Sequence, residues 1–419
     1  MDSKIVTHLE NIPWSLENTS PSLSGYRPKV LLVGTVDMDL RLDLMRHLKD
    51  SFEIAALGSN PDLEKRFQEA GFDYHNYILN RRVHPILDLV TLAQLVWMFR
   101  QLQPQIVHAF SAKPCALARQ AARLAGVPVV IGTLTGLSSL YASEKLSIRL
   151  IRAVYEPMQK YACHTADLTI FQNHDDWRKY VEIGIVPESK STVIPGSGVP
   201  TDLFDPSNVT PAEKRRLREE LGIQPDELVV TLVSRVIRTK GVLEFMTAAK
   251  ELRHQYPNVR FLLVGPNDTG NVYHLNSDEL DQLKQTVIWP GPRRDIPAVL
   301  AISDIFVFPS THMEGVPRVL LEAASMGLPI ITTDSPGCNE VVKVGVNGFF
   351  VPAKDVETLC DYIIRLVQHP QLRQAFGEAS RRRALECFDL STISEQTRQI
   401  YHQLMASKKL LPERTSLPS

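Results

Sequence analysis

The sequence predicts an α/β protein in which two Rossmann-like domains, each a doubly wound parallel sheet, face each other across a cleft. Short apolar runs alternate with segments of helical periodicity, and this alternation is typical of βαβ units. It is interrupted by the polar stretch Pro206–Arg218 and then starts again. A chain of 419 residues is also too long for one ordinary core, so two domains of roughly 180 to 200 residues are expected.

The predicted strands are short apolar runs that end in turn residues. In the first half of the chain they are Lys29–Gly34, Ile54–Leu57, Ile106–Ala109, Val127–Gly132, Leu168–Phe171 and Thr192–Pro195. In the second half they are Leu228–Ser234, Val259–Gly265, Val287–Trp289, Ile305–Pro309, Pro329–Thr332 and Gly348–Val351. The turn-rich stretch Ile194–Phe204 is the predicted crossover between domains. We therefore expect an extension over 1–27, a first domain over 28–205, a second over 206–385 and a tail over 406–419.

The composition excludes several classes of protein. The 46 Lys and Arg residues nearly balance the 47 Asp and Glu residues, so no nucleic-acid partner is indicated. The five cysteines are scattered and odd in number, which suggests neither a disulfide framework nor a zinc site and fits a reducing cytoplasm. No stretch reaches the roughly 18 apolar residues of a transmembrane helix, and residues 1–27 lack the apolar core of a signal peptide. We expect a cytoplasmic protein.

Two cations follow the first strand of the second domain. The sequence Ser-Arg-Val-Ile-Arg-Thr-Lys-Gly places Arg235 and Lys240 at its carboxyl end, where open α/β sheets bind ligands. Fixed cations in a closed cleft stabilise the negative charge that a nucleotide diphosphate gains as a glycosidic bond breaks. Taken alone, two solvated surface cations would be the simpler interpretation.

A second constellation changes that interpretation. The segment Pro309–Pro329 reads as a strand end, a loop with Gly315 and Pro317, and a helix whose first N–H groups point into the cleft as an anion site. Glu314 precedes this helix and Glu322 lies about a turn and a half inside it. Both carboxylates can therefore accept hydrogen bonds from sugar hydroxyls of one ligand. The alternative is that Glu314 caps the helix and Glu322 faces solvent.

These motifs resemble the retaining glycosyltransferase family 4, which has the GT-B fold of two facing Rossmann-like domains, and in particular its bacterial PglA-like branch. The likeness runs from about residue 28 to about residue 404. It is carried by Val107–Lys113, Gly132–Gly136, Phe171–Asn173, Ile194–Gly198, Arg235–Gly241, Glu314–Glu322 and Pro336–Val341. Its specific part is the Glu-x7-Glu spacing together with the arginine and the Lys-Gly pair at the strand end.

The resemblance implies an enzyme that transfers a sugar from a nucleotide-diphosphate sugar, expected to be UDP-linked. The expected acceptor is a saccharide linked to a polyprenyl (di)phosphate in glycan synthesis. The resemblance also implies that the last helix, at about 386–405, returns to the first domain.

The resemblance assigns roles within the donor site. Glu322 is expected to bind the donor ribose, and Arg235 with Lys240 the diphosphate. Glu314 and the following loop are expected to bind the transferred sugar; that loop contributes Gly315, Val316, Pro317 and Val319. The expected catalytic residues are Arg235, Lys240 and Glu314.

Two further residues belong to the predicted donor site. Gly34 ends the first strand, where many family members have a second glycine that this chain lacks, so close backbone approach of a ligand is less strongly indicated. Pro292 lies in the segment Pro290–Arg294, where backbone groups are expected to select the nucleotide base.

Four residues at the ends of two strands of the first domain are expected to face the acceptor. They are His108, Lys113, Thr135 and Gly136. For His108, a partly buried histidine hydrogen-bonded at a strand end is an equal alternative. Lys113 either binds an acceptor phosphate or has no such role. Many family members have His-Gly where this chain has Thr135-Gly136, so no general base is expected there.

Asp37-Met-Asp39 formally matches the Asp-x-Asp metal signature of the other large glycosyltransferase fold. Its place just after the first strand favours capping of the next helix instead. In the predicted fold, cations and a helix dipole stabilise the leaving group. We expect neither a metal ion nor another cofactor.

The segment Ser143–Tyr161 predicts an amphipathic helix with Lys145, Arg149 and Arg152 on one flank. Such a helix can lie on an anionic membrane surface, and Arg81–Arg82 adds to the same basic edge. A surface helix packed on the first domain is the alternative. A lipid-linked acceptor would favour a peripheral position on the inner face of the membrane.

The implied reaction is attack of an acceptor hydroxyl on the anomeric carbon with retention, in which the leaving phosphate oxygen takes the acceptor proton. Two rivals remain open. A nucleotide-sugar 2-epimerase would consume the donor without an acceptor. A catalytically silent nucleotide-sugar-binding partner in a polysaccharide assembly complex would fit the substituted Thr135 and the missing glycine.

Overall fold

The computed structural model describes residues 27–80, 84–136, 141, 146–311 and 315–411. Seven strands form a first sheet: β1 (Lys29–Val33), β2 (Glu53–Gly58), β3 (Asp73–Asn76), β4 (Ile106–Phe110), β5 (Val129–Leu134), β6 (Leu168–Phe171) and β7 (Ser191–Val193). Six strands form a second sheet: β8 (Leu228–Val233), β9 (Val259–Val264), β10 (Ile288–Gly291), β11 (Ile305–Phe308), β12 (Ile330–Thr333) and β13 (Gly348–Val351).

Both sheets are parallel and doubly wound. The first has the order β3-β2-β1-β4-β5-β6-β7 and the second the order β10-β9-β8-β11-β12-β13. In register, Val30 lies opposite Ile54 on one side and Ile106 on the other. The predicted fold class of two Rossmann-like domains is confirmed.

Helices cover both faces of each sheet. Those of the first half are α1 (Leu42–Leu48), α2 (Glu64–Glu69), α3 (Pro85–Leu102), α4 (Ala112–Leu124), α5 (Leu146–Thr165) and α6 (His174–Glu182). Those of the second half are α7 (Pro211–Glu220), α8 (Val242–Leu252), α9 (Ser277–Thr286), α10 (Ile296–Ala301), α11 (Arg318–Ser325), α12 (Cys338–Val341), α13 (Val356–Gln368), α14 (Pro370–Arg383) and α15 (Leu390–Ser407). Short 3-10 helices include Met38–Arg41 and Arg238–Lys240, and a π-helix spans Ala384–Phe388.

Local signals explain where many helices begin. Helix α7 starts with Pro211 behind a capping box in which Thr210 and Glu213 satisfy each other's backbone N–H groups. Helix α6 is capped by Asn173, whose side chain accepts from Asp176 N at 2.7 Å.

Apolar strands buried on both faces form the cores, as parallel sheets require. One face of the first sheet packs on α3, α4, α5 and α6. The other face packs on α1, α2 and α15. Helix α15 contributes Ile393, Tyr401 and Met405 to this second cluster although it follows the second domain in sequence. The second domain has one continuous core around β8–β13.

The predicted strands are all present, with ends displaced by at most two residues. The sequence prediction missed β3 (Asp73–Asn76), in which Tyr74 is the one buried residue among polar neighbours. Of the predicted basic helix, the described part forms α5 (Leu146–Thr165), which extends beyond the predicted end at Tyr161. Lys145 and Arg81–Arg82 lie outside the described residues. Of the predicted tail, residues 406–407 belong to α15, which runs to Ser407, and Lys408 Nζ pairs with Asp167 at 2.9 Å.

Candidate functional site

Each sheet has a switch point, which is the pair of neighbouring strands from which the chain continues toward opposite edges of the sheet. In the second sheet this point lies between β8 and β11, and in the first between β1 and β4. Ligands of open α/β sheets bind in the crevice outside the carboxyl ends of such strands. Both segments of the predicted donor motif, after β8 and after β11, are therefore placed at one crevice.

The loop after β8 rests directly on the end of β11. Gly241 has a φ of 76°, and a Cβ there would overlap Pro309 O, so glycine is required on two grounds. Thr239 O accepts hydrogen bonds from Thr311 N at 3.0 Å and from Ser310 Oγ at 3.1 Å. This packing explains the glycine of the Lys-Gly pair.

The two predicted diphosphate-binding cations lie on this loop. Arg235 Nη1 pairs with Asp268 Oδ2 at 2.7 Å, and its side chain is 52% exposed. Lys240 Nζ lies 5.4 Å from the centre of the Phe308 ring at the end of β11. Both cations thus lie near the switch point. The ion pair of Arg235 with Asp268 is exposed and therefore only weakly stabilising, so an anionic ligand can replace Asp268 as the partner of Arg235.

Glu322 lies inside α11 and is only 9% exposed. Its Oε1 accepts from Arg318 Nε at 3.2 Å, and Arg318 Nη2 lies 3.4 Å from Asp43 Oδ2 in α1 of the first domain. Burial raises the pKa of Glu322 to about 7, against the opposing charge of Arg318. This carboxylate does not face open solvent, so the solvent-facing alternative for Glu322 is wrong.

The loop before α11 touches the first domain. A Cβ on Gly315 would overlap Thr135 O and lie 2.7 Å from Gln172 Oε1. Asn173 Nδ2 donates to Gly315 O at 3.1 Å. The predicted donor loop and the predicted acceptor-side residue Thr135 are therefore in direct contact.

Other residues of the predicted donor loop have different surroundings. Glu314 lies outside the described residues. Val316 packs against Gly196 of the crossover, and Pro317 is buried at the start of α11. Val319 is partly buried against the core of the second domain.

The remaining two donor-site predictions lie in different domains. Gly34 is buried at the end of β1, and Met38 Sδ occupies the space that a side chain would need. The packing of Met38 therefore explains why residue 34 is a glycine, and close approach of a ligand is not needed to explain it. Pro292 is exposed just after β10. It therefore lies at the carboxyl ends of the strands, as do the cations of the β8 loop.

His108 lies in the core of the first domain and not on the cleft surface. It is 2% exposed, with Nδ1 2.7 Å from Tyr401 Oη and Nε2 2.7 Å from Thr133 Oγ1. Burial, together with the charges of Arg41 and Arg119, lowers its pKa to about 3. This geometry agrees with the alternative of a buried, hydrogen-bonded histidine.

Replacement of His108 by leucine is expected to lower the free energy of unfolding by about 1 to 3 kcal/mol, because Tyr401 and Thr133 lose their buried partner. Nucleotide affinity is expected to stay unchanged. Urea denaturation and nucleotide titration test the two parts, and His254→Leu at an exposed position is the control. Normal stability with lost activity would contradict this structural role.

The other acceptor-side predictions are distributed over two strand ends. Lys113 Nζ pairs with Asp88 of α3 at 2.5 Å and donates to Asn80 O at 2.6 Å, so its charge is already matched within the first domain. Thr135 Oγ1 lies 3.3 Å from Ser111 Oγ, and Gly136 follows with a φ of 126°.

Sequence reasoning did not identify Arg41. It follows β1, donates to Ser197 Oγ at 2.8 Å and places its guanidinium 4.5 Å from the centre of the Phe110 ring. Desolvation lowers the pKa of Arg41 to about 10, and the charge of Arg318 acts in the same direction. The sequence offered no signal for Arg41, whereas the i,i+4 spacing of Arg318 and Glu322 was a signal for that pair.

A polar bridge joins α6 of the first domain to α12 of the second. Glu340 Oε1 accepts from His174 N at 2.7 Å and lies 2.9 Å from His174 Nδ1, which raises the pKa of His174. Asn339 Nδ2 donates to Asp175 Oδ2 at 2.8 Å. The segment Pro336–Val341, which carried part of the family resemblance, thus contributes to the contact between domains.

The two aspartates of the Asp-x-Asp sequence have separate partners. Asp37 accepts from Thr35 Oγ1, and Asp39 pairs with Arg66. Asp37 precedes the 3-10 helix but makes no capping hydrogen bond through its side chain, so the predicted capping was wrong. Among the described residues, no group of three His, Cys, Asp or Glu side chains is placed to hold a metal ion.

Two family models match the chain, one in each domain. Residues 29–173 match the model described as glycosyl transferase 4-like, and residues 213–383 match the one described as glycosyl transferases group 1. Among solved structures, HepE from Anabaena in complex with UDP superposes with a TM-score of 0.74 at 21% identity, over 90% of this chain and 100% of that one. This likeness shows a shared fold.

Two bacterial proteins are similar over most of their length. The chain is 30% identical to the UDP-Gal:alpha-D-GlcNAc-diphosphoundecaprenol alpha-1,3-galactosyltransferase of Escherichia coli, over 79% of this chain and 83% of that protein. It is 25% identical to the N,N'-diacetylbacillosaminyl-diphospho-undecaprenol alpha-1,3-N-acetylgalactosaminyltransferase of Campylobacter jejuni, over 87% and 95%. The resemblance to family 4 is confirmed, and the chain belongs to the glycosyltransferases of group 1 with a family 4-like first domain.

Proposed function

We propose that this glycosyltransferase moves a sugar from a UDP-sugar to a saccharide linked to a polyprenyl diphosphate, with retention of the anomeric configuration. The carrying observation is that a buried carboxylate, Glu322 in α11, and two cations, Arg235 and Lys240 on the loop after β8, belong to segments that follow the two strands of one switch point, β11 and β8. The carboxylate suits ribose hydroxyls and the cations suit a diphosphate. The names of the two bacterial relatives, both acting on diphospho-undecaprenol-linked sugars, support the acceptor class.

In the proposed reaction, the acceptor hydroxyl oxygen bonds to the anomeric carbon as the bond from that carbon to the donor phosphate oxygen breaks. Arg235 and Lys240 stabilise the charge that develops on the departing diphosphate. The acceptor proton passes to the departing phosphate oxygen on the same face of the sugar. His108 does not serve as the base, since its ring is buried and both nitrogens have partners.

We also propose that transfer requires no metal ion or other cofactor. The cations of the β8 loop and the N-terminal end of α11 would supply the positive charge that a metal ion supplies elsewhere.

The test is transfer by the full chain, with UDP-glucose, UDP-galactose, UDP-GlcNAc and UDP-GalNAc offered in turn to a short-chain polyprenyl diphosphate carrying GlcNAc. We expect one donor to be used, an α-linked product by NMR, and an equal rate with EDTA. A β-linked product would contradict retention, and a rate lost with EDTA would contradict metal independence. Donor consumption without an acceptor would indicate the epimerase, and binding without any turnover the silent partner.

We further propose that the first domain contacts an anionic membrane through α3 and α5. None of the described helices is both long and apolar enough to cross a bilayer. On α5, Leu150, Val154 and Tyr161 are more than half exposed, and the exposed Arg149 adjoins Leu150 in sequence. On α3, the large side chains Ile86, Leu89 and Trp97 are exposed to a similar extent. Apolar side chains beside cations are typical of helices that lie in a bilayer interface.

Flotation with vesicles tests this contact. We expect binding to vesicles that contain phosphatidylglycerol, weaker binding to pure phosphatidylcholine, and a severalfold loss in the double variant Leu150→Gln, Val154→Gln. Val272→Gln is the matched control, because Val272 is 86% exposed in the second domain. Equal binding of the double variant and the wild type would contradict the proposal.

A further inference from the structure

Arg41 lies at the switch point of the first sheet. It ends the 3-10 helix that follows β1, and its guanidinium lies 4.5 Å from the centre of the Phe110 ring at the end of β4. Strands β1 and β4 are the pair from which the chain continues toward opposite edges of this sheet, and ligands of open α/β sheets bind outside the carboxyl ends of such a pair. Arg41 therefore follows one strand of a switch point, as Arg235 and Lys240 follow β8 in the second sheet.

Two side chains present hydrogen-bond donors at this point. Ser197 Oγ accepts from Arg41 Nη1 at 2.8 Å and from Gln172 Nε2 at 2.8 Å. A hydroxyl oxygen has two lone pairs and one proton, so these two hydrogen bonds leave Ser197 with its proton to donate. The guanidinium of Arg41 has five N–H donors and no acceptor. A ligand atom that meets both side chains must therefore be an acceptor.

The surroundings of Arg41 favour a negatively charged acceptor over a neutral one. Desolvation lowers the pKa of Arg41 to about 10, the charge of Asp37 opposes this shift, and the charge of Arg318 in α11 adds to it. The guanidinium thus remains a cation at neutral pH, and its hydrogen-bond partner Ser197 is neutral. An anion beside a desolvated cation stabilises the charged form. A negatively charged ligand would also reduce the repulsion between Arg41 and Arg318.

The space at this point limits the size of the ligand group. Arg41 lines a small cavity together with Phe110, Gln172, Gly196 and Ser197, and its volume of about 30 Å³ is close to that of one water molecule. The cavity has room for one ligand oxygen and not for a sugar ring. Arg41 and Ser197 both keep some exposed surface, so a larger group can approach from outside and place a single oxygen there. A tetrahedral phosphate group meets these requirements of size and charge.

The cavity also adjoins the proposed donor site. Gly196 of the crossover lies against α11 of the second domain, since a Cβ on it would lie 3.2 Å from Leu321 Cδ1. Helix α11 carries Glu322, the residue proposed to bind the donor ribose. A phosphate bound to Arg41 would therefore lie close to the donor, on the side of the first domain.

We propose that Arg41 and Ser197 bind a phosphate group of the acceptor, in the diphosphate that joins its saccharide to the lipid. The inference rests on the proposed function, in which both substrates carry a diphosphate. The donor diphosphate is assigned to the cations of the β8 loop, so the acceptor diphosphate requires a cation of its own. Arg41 supplies this cation from the first domain and makes the enzyme select diphosphate-linked acceptors over neutral saccharides.

Kinetics with two acceptors test this selection. One is GlcNAc on a short-chain polyprenyl diphosphate, and the other is the octyl glycoside of GlcNAc, which carries no phosphate. In Arg41→Gln we expect kcat/KM for the diphosphate acceptor to fall by about 10- to 100-fold, with no change for the octyl glycoside or in the affinity for UDP. Arg41→Lys keeps a charge without the planar fork and should lose less.

Arg46→Gln is the matched control, because Arg46 is an exposed arginine of the neighbouring helix α1 that pairs with Asp43. It is expected to keep the selectivity of the wild type. Equal losses with both acceptors in Arg41→Gln would mean that Arg41 supports the structure and binds no phosphate. A loss of UDP affinity in Arg41→Gln would place the phosphate in the donor and overturn its assignment to the acceptor. Urea denaturation shows whether each variant is folded.

Direct binding separates this inference from the proposed function. Geranyl diphosphate, a lipid diphosphate without a sugar, is titrated calorimetrically into the full chain with saturating UDP, so that the donor site is filled. We expect binding by the wild type and Arg46→Gln that is at least about tenfold weaker in Arg41→Gln. This pattern without any sugar transfer would keep the diphosphate site and overturn the function. Sugar transfer with equal diphosphate binding in Arg41→Gln and the wild type would overturn the inference.

Discussion

Replacement of Lys240 by methionine is expected to lower kcat/KM for transfer by about 100- to 1,000-fold, the effect of removing one preorganised group that stabilises transition-state charge. Lys240 is held on a loop whose next residue, Gly241, packs against Pro309, so the cation is positioned before the donor arrives. Methionine preserves much of the side-chain length and removes only the charge. Steady-state kinetics with a UDP-sugar and a lipid-linked acceptor measure the effect.

Arg238 supplies the control for this prediction. It lies two residues from Lys240 in the same 3-10 helix, but its guanidinium pairs with Glu279 of α9. Arg238→Met is therefore expected to change kcat/KM by less than about threefold. Arg235→Met should resemble Lys240→Met, because Arg235 lies on the same loop after β8 and its ion pair with Asp268 is exposed. Equal losses in Arg238→Met and Lys240→Met would mean that net charge, and not position, is responsible.

The fold could be predicted because parallel strands buried on both faces leave a strong sequence signal. Runs such as Leu228–Val233 are continuously apolar and end in turn residues. Strand β3 lacks this signal, since it lies at the edge of the first sheet and needs only one apolar face. Its buried residue Tyr74 is flanked by polar residues that meet solvent.

The candidate donor site could be proposed from the sequence where its parts are close along the chain. Glu322 has a fixed place in the helix that follows β11, the Lys-Gly pair has a fixed place in the loop after β8, and the sheet topology brings these two segments together. The contact of Gly315 with Thr135, and that of Arg318 with Asp43, join residues from different domains. Such contacts depend on how the two folded domains pack against each other, and no local sequence pattern specifies that packing.

The pair of Arg318 and Glu322 leads to a prediction about pH. Burial alone would keep Glu322 protonated well above the usual range of a carboxyl group, and the charge of Arg318 lowers its pKa toward the value of about 7. The ionised form is a stronger, charged acceptor for the two ribose hydroxyls, whereas protonation turns one carboxyl oxygen into a donor. Affinity for a UDP-sugar should therefore fall as pH falls below about 7, approaching tenfold for each pH unit.

In Arg318→Gln the pKa of Glu322 is expected to rise further, because the burial remains and the compensating charge is gone. The fall in affinity should then begin at higher pH, with a loss of about tenfold at neutral pH that is recovered in alkaline solution. Calorimetric titration across about pH 6 to 9 measures both curves. An intact UDP-sugar is the ligand, since the terminal phosphate of UDP would itself titrate near pH 6.

Asp43→Asn separates the pH effect from the contact between domains. It removes the carboxylate that Arg318 meets in α1 but leaves the 3.2 Å contact of Arg318 with Glu322. We expect the midpoint of its pH curve to stay near that of the wild type. Glu322→Gln should show weak binding without this pH dependence, because no titrating carboxyl remains. If Arg318→Gln and the wild type share one midpoint, Arg318 does not control the ionisation of Glu322, and its role is confined to joining the two domains.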